Sequence, residues 1–166
     1  MNEFNRAFET VVGIEGGYVF DEDDAGGETK FGISKRSYPH LNIKDITLEQ
    51  AKIIYYRDFW NTQAMNLDNF KYDIALELFD TGVNMSMEVS RKFLQEALSL
   101  LNRVETKFPD LVIDGIIGKK TMEALVMVDY EELLKVLNGL QFMRYYTIVQ
   151  HKHSQEKFFA GWVKRT

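Results

Sequence analysis

Apolar residues recur every three or four positions along almost the whole chain, and this spacing constrains the fold more than any other feature. Such a period places apolar side chains on one face of an α-helix. It predicts a first helix that starts at Asn2 and stops at Gly16 and Gly17. Further helices are expected over 48–59, opened by the capping box Thr47–Gln50, and over 72–81, ended by Gly82. Others are expected over 89–101, 118–128 and 130–149, the last opened by a second capping box of Asp129 and Glu132, with a short helix around Trp162. The predicted fold class is therefore all-α.

Composition narrows the class of protein further. Of the 166 residues, 45% are apolar and 27% are charged, as in ordinary soluble globular domains. Cysteine is absent, which excludes a disulfide framework and a thiol nucleophile. The net charge is −5, so a nucleic-acid partner is not expected. No stretch approaches the roughly 20 apolar residues of a membrane span, so stable membrane insertion is not expected either.

The amino terminus carries no apolar run after its first six residues, which argues against a secretory signal peptide. The chain is therefore expected to be synthesised in the cytoplasm. Its charge is unevenly spread: seven acids and no base lie between Glu9 and Glu28, whereas five bases and one acid follow from Arg144 onward. This asymmetry indicates two specialised surfaces.

One segment, residues 15–33, departs from the helical pattern. It is rich in glycine and acids and contains two short apolar stretches, Tyr18–Phe20 and Lys30–Ile33. Two such stretches around a glycine-containing turn predict a small β-hairpin, the only sheet expected in the chain.

Two carboxyl groups in this segment have contrasting surroundings. Glu15 stands at the end of the predicted first helix, where the helix terminus and desolvation both raise a carboxyl pKa. Asp24 lies among further acids and glycines and is expected to stay ionised. Such a pair suits glycoside hydrolysis, in which one group protonates the leaving oxygen and the other handles water or the cation. The alternative is a helix-capping Glu15 followed by a solvated acidic turn.

A metal site is not predicted. The run from Asp21 to Gly26 resembles the start of a calcium loop, but Ala25 stands at its fifth position and Gly32 stands where the bidentate glutamate belongs. His151 and His153 are two residues apart and cannot both face the same side of a helix.

Three short motifs follow one another here: Glu15-Gly16-Gly17-Tyr18, Asp21…Asp24-x-Gly26-Gly27-x-Thr29 and Gly32-Ile33-Ser34. Together they resemble the signature of the glycosyl hydrolase 108 family, N-acetylmuramidases found as phage endolysins and as secretion activator proteins. The resemblance implies that Glu15 is the catalytic acid. The order Glu15, Asp24, Thr29 is also similar to the catalytic Glu-Asp-Thr order of phage-type lysozymes, which implies catalytic roles for Asp24 and Thr29. Asp21 also belongs to the signature and is the rival second carboxylate.

The resemblance extends over nearly the whole chain. Phe79-Asp80-Thr81-Gly82-Val83-Asn84, Asp114-Gly115-Ile116-Ile117-Gly118-Lys119-Lys120-Thr121 and Phe159-x-Gly161-Trp162-x-x-Arg165 look like motifs of the family's carboxyl-terminal, peptidoglycan-binding part. It implies a lysozyme-like fold, mainly α-helical, with the hairpin near the active site. The expected domains are a catalytic muramidase part over 1–84 and a helical peptidoglycan-binding part over 85–166, packed together as one compact unit.

Further substrate contacts are predicted beside the acids. Tyr18 and Trp60 could stack on sugar rings, although Trp60 could equally be core. Asp80 and Asn84, one helical turn apart, could hold water or sugar hydroxyls, with helix termination as the alternative. The substrate-binding set is Tyr18, Asp21, Trp60, Asp80 and Asn84.

The function predicted from these observations is hydrolysis of the β-1,4 bond between N-acetylmuramic acid and N-acetylglucosamine, with peptidoglycan glycan strands as the partner. Proton donation and carboxylate stabilisation need no cofactor, and none is implied. The endolysin resemblance suggests action at the cell wall or periplasm after release through a holin-like pore or lysis. The alternative is a wall-binding or secretion-assisting protein that keeps the fold without catalysis.

Overall fold

The computed structural model describes residues 2–13, 17–19 and 27–166. Packing divides the chain into two compact units, Met1–Thr62 and Gln63–Thr166. This division precedes the predicted boundary between residues 84 and 85, because the helix of residues 72–85 packs against helices of the second unit. The fold is mainly α-helical, as predicted. Within the described residues, no helix combines the length and the apolar composition that crossing a bilayer requires.

The first unit begins with helix α1 (Glu3–Val11). The predicted cap is confirmed: the Asn2 side chain accepts a hydrogen bond of 2.9 Å from the Asn5 amide. The predicted end at Gly16 is wrong, because α1 ends five residues earlier. The Gly13 amide donates to the Phe8 carbonyl, and Gly13 takes φ +80°, a conformation that glycine adopts without strain.

The hairpin is present, but its strands differ from the predicted pair. Strand β1 (Thr29–Lys30) runs antiparallel to β2 (Ile33–Ser34), with Thr29 opposite Ser34. The turn falls at Phe31 and Gly32, within the stretch predicted as one strand. Both residues have positive φ, 50° and 73°, which favours a tight two-residue turn. Val19 pairs with the other edge of β1, exchanging two 2.8 Å backbone hydrogen bonds with Thr29.

Helix α2 (Leu48–Tyr55) continues into a π-helical turn, Tyr56–Trp60. Its predicted capping box is confirmed, since the Thr47 amide donates to Gln50 Oε1 and the Gln50 amide donates to Thr47 Oγ1. Two-residue strands that the sequence did not predict follow, β3 (Asn61–Thr62) and β4 (Met65–Asn66), one in each unit. Short 3₁₀ turns lie at Ile43–Asp45 and Leu67–Asn69.

The second unit is built on two consecutive helices, α3 (Tyr72–Met85) and α4 (Met87–Leu100). The predicted end of α3 at Gly82 is wrong, because the helix continues through Gly82 for another turn. A Cβ at Gly82 would overlap the Met87 sulfur. Glycine therefore serves close packing at this position rather than helix termination.

Three further helices complete the second unit: α5 (Lys119–Leu125), α6 (Tyr130–His151) and α7 (Glu156–Val163). Asp129 caps α6, as predicted, by accepting from the amides of Glu131 and Glu132. A 3₁₀ turn, His153–Gln155, precedes α7. The core between α3, α4 and α6 contains fully buried aliphatic residues: Ile74, Leu78, Leu94, Leu98, Leu133 and Leu137.

Candidate functional site

Three of the predicted site residues, Glu15, Asp21 and Asp24, lie outside the described residues. The acid role of Glu15, and the competition between Asp24 and Asp21 for the second carboxylate role, therefore stay predictions. The expectation that Glu15 stands at the end of the first helix is wrong, because α1 ends at Val11, four positions earlier. Two other predicted site residues of the same stretch, Tyr18 and Thr29, are described.

Thr29 is held by backbone hydrogen bonds to Val19. Its amide and its carbonyl exchange two 2.8 Å bonds with that residue, while Ser34 lies opposite Thr29 in the register of β1 and β2. Since backbone groups make these bonds, the threonine side chain is not needed to form them. Its hydroxyl is therefore available for chemistry on a fixed backbone.

Tyr18 lies next to this strand, with 39% of its surface exposed. Desolvation first, and then the charge of Glu28, raise the pKa of Tyr18, whose hydroxyl donates a hydrogen bond to the Glu28 carboxylate. Glu28 was not singled out in the sequence, because it is one of seven acids in the run and nothing local distinguishes it. A half-exposed aromatic ring whose hydroxyl is oriented by a carboxylate is suited to contact a sugar.

Tyr55 of α2 packs against the hairpin turn. The Tyr55 hydroxyl donates a 3.2 Å hydrogen bond to the Phe31 carbonyl, and burial raises its pKa to about 12. A Cβ at Gly32 would overlap the same hydroxyl. The turn thus requires glycine both for its positive φ and for the approach of Tyr55.

Trp60 is fully buried, with 0% exposure. Its ring meets Phe4 edge-on at 5.7 Å, while Phe8 meets Tyr55 in the same manner at 5.4 Å. These contacts place Trp60 in the aromatic core of the first unit, which is the alternative that the sequence left open for it.

A polar triad at the surface of the first unit was not anticipated. The Tyr38 hydroxyl donates a 2.9 Å hydrogen bond to Asp58 Oδ2, and Arg57 binds the same carboxylate through two guanidinium nitrogens. The Arg57 hydrogen bonds lower the pKa of Asp58, while burial and then Asp58 raise that of Tyr38. The carboxylate is thereby held ionised between a phenol and a guanidinium.

In the second unit, Asp80 is the centre of a buried network. Its carboxylate is bound on one oxygen by Arg165, at 2.8 Å, and on the other by the Gln141 side-chain amide, also at 2.8 Å. Asn84 donates to the Asp80 carbonyl at 2.9 Å and to its carboxylate at 3.1 Å. The predicted pair Asp80 and Asn84 is therefore brought together, with Arg165 as counter-ion.

A second acid, Glu77, lies one turn away and is 6% exposed, as is Asp80. Burial, followed by the nearby Asp80 charge, raises the pKa of Glu77 to about 7, although the Thr81 hydroxyl donates to its carboxylate. The sequence contained a signal for this acid, because Glu77, Asp80 and Thr81 interrupt an otherwise apolar helical face. Glu77 can therefore take up or release a proton near neutral pH.

Helix α6 covers this network with two polar side chains, Gln141 and Tyr145. The Gln141 amide nitrogen also donates to Thr81 Oγ1 at 3.1 Å. Gln141 Oε1 and the Tyr145 hydroxyl are buried and have no hydrogen-bond partner among the described residues. Trp162 of α7 stacks on Tyr145 at 4.9 Å. We call Glu77, Asp80, Thr81, Gln141 and Tyr145 the buried polar cluster, with which Arg165, whose side chain is 35% exposed, pairs from the surface.

The loop before α5 forms one wall of an open groove of about 880 Å³ within the second unit. Gly115, at φ +78°, lets the loop turn, and its amide donates to Gln95 Oε1 at 2.7 Å. Asp114 accepts hydrogen bonds from Gln95 Nε2 and from the Ile116 amide, which lower its pKa. The glycine and the acid of this loop thus fix its shape on α4.

Comparison with known proteins agrees with this architecture. Residues 8–86 match the family "Glycosyl hydrolase 108", and residues 89–166 match the family "Predicted Peptidoglycan domain". Ten chains of solved structures match. One is the structure of Brucella abortus SagA, with a TM-score of 0.73, 22% sequence identity, and coverage of 98% of this chain and 88% of that one. No curated protein matches the sequence.

Proposed function

The chain belongs to the glycosyl hydrolase 108 family and carries a predicted peptidoglycan domain, and from this premise we propose that it is a lysozyme-type N-acetylmuramidase. The bond cleaved is the β-1,4 linkage from N-acetylmuramic acid to N-acetylglucosamine. The observation that carries the proposal is the succession of a glycoside-hydrolase domain and a peptidoglycan domain over 8–166. A hydrolase that meets its substrate in an insoluble wall gains from a second domain that holds it there.

In the proposed mechanism, Glu15 protonates the leaving glycosidic oxygen. Asp24 takes the opposite role, stabilising the developing cation or activating water, with Asp21 as the competing candidate. The Thr29 hydroxyl orients the water or the second carboxylate. The two backbone hydrogen bonds between Thr29 and Val19 support this role, because they fix the Cα from which the hydroxyl projects. Tyr18, oriented by Glu28, contacts the sugar beside the acid.

The experiment is hydrolysis of purified cell walls by the full chain and by its Glu15→Gln variant. Glutamine nearly preserves the shape of the side chain but carries no transferable proton, so activity should fall by about a hundred- to ten-thousand-fold. Borohydride reduction of the products, followed by mass spectrometry, identifies the bond. A muramidase yields reduced muramic acid ends, whereas a glucosaminidase yields reduced glucosamine ends.

The second candidate function, a non-catalytic wall-binding protein, is favoured by the extent of the predicted peptidoglycan domain, which spans residues 89–166. Zymography of the wild-type chain across pH separates the two candidates. No clearing at any pH, together with retained wall binding, would replace hydrolysis with this second function.

A further inference from the structure

The groove beside the Asp114 loop carries an exposed aliphatic surface that the proposed bond cleavage does not employ. Val112 is 76% exposed, Ile116 69% and Val126 73%. Contiguous exposed apolar surface is characteristic of interaction sites, since it is costly to leave in water. The volume of about 880 Å³ lies in the range of sites that hold small ligands.

The polar side chains beside the loop of the groove, Gln95 and Asp114, are engaged with each other and with the loop backbone. Gln95 donates to Asp114 Oδ1 at 2.8 Å and to the Ile116 carbonyl at 3.1 Å, and its own carbonyl oxygen accepts from Gly115. A pyranose brings several hydroxyl groups that each need a hydrogen-bond partner. It also prefers a flat aromatic face, and Phe108 is the single aromatic residue among those lining the groove. This surface is therefore poorly suited to a glycan strand.

The charges of the groove suit a different component of the wall. Two lysines, Lys119 and Lys120, line it together with three carboxylates, and Lys119 lies 3.6 Å from one of them, Glu123. The other two carboxylates belong to Asp110 and Asp114. A peptidoglycan stem peptide presents alanine methyl groups, free carboxylates and, in many walls, the ammonium group of a diamino acid. Methyl groups match the aliphatic wall, the lysines match the peptide carboxylates, and the carboxylates of the groove match the ammonium group.

We propose that this groove binds the stem peptide of peptidoglycan, with alanine methyl groups on Ile116 and Val126 and a peptide carboxylate at Lys119 and Lys120. The proposal rests on the proposed function, because it takes peptidoglycan as the partner. It assigns the peptide, rather than the sugar strand, to the second domain. The two domains would then recognise different parts of one polymer.

The test is an NMR titration of the isotopically labelled full chain, carrying Glu15→Gln, with a soluble stem peptide and, separately, with a peptide-free glycan fragment. The stem peptide should shift amide signals of residues 110–127, and the glycan should not. If the glycan shifts these amides, or if the stem peptide leaves them unmoved, the proposal is overturned.

A matched pair of variants sharpens the test. Ile116→Gln with Val126→Gln should weaken stem-peptide binding by about tenfold or more, because two aliphatic contacts are lost. The control, Leu100→Gln with Met143→Gln, makes the same change at residues that are 64% and 62% exposed and do not line the groove. All four positions are exposed, so both variants should fold, which circular dichroism checks. Equal binding by the two variants would overturn the proposal.

The carboxylate contact has its own test. Lys119→Gln with Lys120→Gln should weaken binding of the stem peptide with a free carboxyl terminus more than binding of the same peptide as its amide. Equal weakening of both peptides would overturn the assigned lysine contact. These titrations measure binding and do not depend on catalysis. If the wild-type chain fails to hydrolyse walls, the titrations therefore still test whether the groove binds the stem peptide.

Discussion

The hairpin of the first unit and the buried polar cluster of the second unit hold functional groups by opposite means. Around Thr29, backbone hydrogen bonds fix the chain, and the side chains are partly exposed. Around Asp80, side chains bond to side chains, and Asp80 is only 6% exposed. Side-chain substitution should therefore change chemistry with little cost in stability at the hairpin, whereas in the cluster it should change stability first.

The largest effect is expected from Asp80→Asn. The buried Asp80 carboxylate accepts on both oxygens, whereas asparagine keeps one acceptor oxygen and turns an amide group toward a donor of Arg165 or Gln141. The loss of these charged hydrogen bonds should lower the free energy of unfolding by about 3 kcal/mol. Urea denaturation measures the loss, and hydrogen exchange should locate it in the second unit. The control is Glu96→Gln, a carboxylate-to-amide change at an exposed position of α4. If both variants lose the same stability, the cluster has no special role.

Glu77→Gln is expected to raise the free energy of unfolding by a comparable amount above neutral pH. The pKa of Glu77 is about 7 in the folded chain and 4.5 ordinarily, so the folded state binds more protons between these values. In the wild type, the stabilising contribution of Glu77 to the free energy of unfolding is fully present below pH 4.5 and is lost as the pH rises through 7. Burial of the carboxylate then costs about 3 kcal/mol, from 2.5 pKa units at ~1.36 kcal/mol each.

Glu77→Gln removes this pH dependence, so the variant should be more stable than the wild type at pH 8 and close to it at pH 4.5. Denaturation at the two pH values measures the difference, with Glu96→Gln again as the control. A variant that is equally destabilised at both values would show that glutamine disrupts the packing and that the carboxylate charge is not the cause.

A smaller effect is expected at the hairpin from Gly32→Ala. Alanine at φ +73° is strained, and its methyl group overlaps the Tyr55 hydroxyl, for a combined loss of about 2 kcal/mol. Gly13→Ala is the matched control, because Gly13 has φ +80° but no atom within 4 Å of an added Cβ. In a Tyr55→Phe background the overlap disappears, so Gly32→Ala should then cost no more than Gly13→Ala. If Gly32→Ala still lowers the free energy of unfolding by the full amount in this background, the overlap with the Tyr55 hydroxyl is not the cause.

The smallest effect on stability is expected from Thr29→Val. Valine suits a strand and keeps the backbone bonds, so the free energy of unfolding should change by less than about 0.5 kcal/mol. Wall hydrolysis should nevertheless fall by about tenfold or more, since the hydroxyl is absent. Thr29→Ser should retain most of the activity. Full activity in the valine variant would exclude a catalytic role for the hydroxyl.

The sequence by itself determined the features whose causes lie within one turn of a helix. The Asn2 cap and the Thr47–Gln50 capping box are examples, because each bond joins residues three positions apart. The helical period likewise predicted the mainly α-helical fold, since one apolar face per helix is a local property. The similarity of short motifs predicted the family, which the matches over 8–86 and 89–166 confirm.

Only the tertiary structure decided features that depend on distant neighbours. Gly82 predicted a helix end, but the approach of Met87 gave this glycine a packing role inside α3. At Gly32, in the hairpin turn, the space that a Cβ would need is occupied by the hydroxyl of Tyr55, which lies 23 residues further along the chain. Asp80 meets Gln141 and Arg165 across 61 and 85 residues, a separation at which spacing in the sequence carries no information. A proton held on Glu77 near neutral pH follows from that assembly, because burial by the rest of the fold sets its pKa.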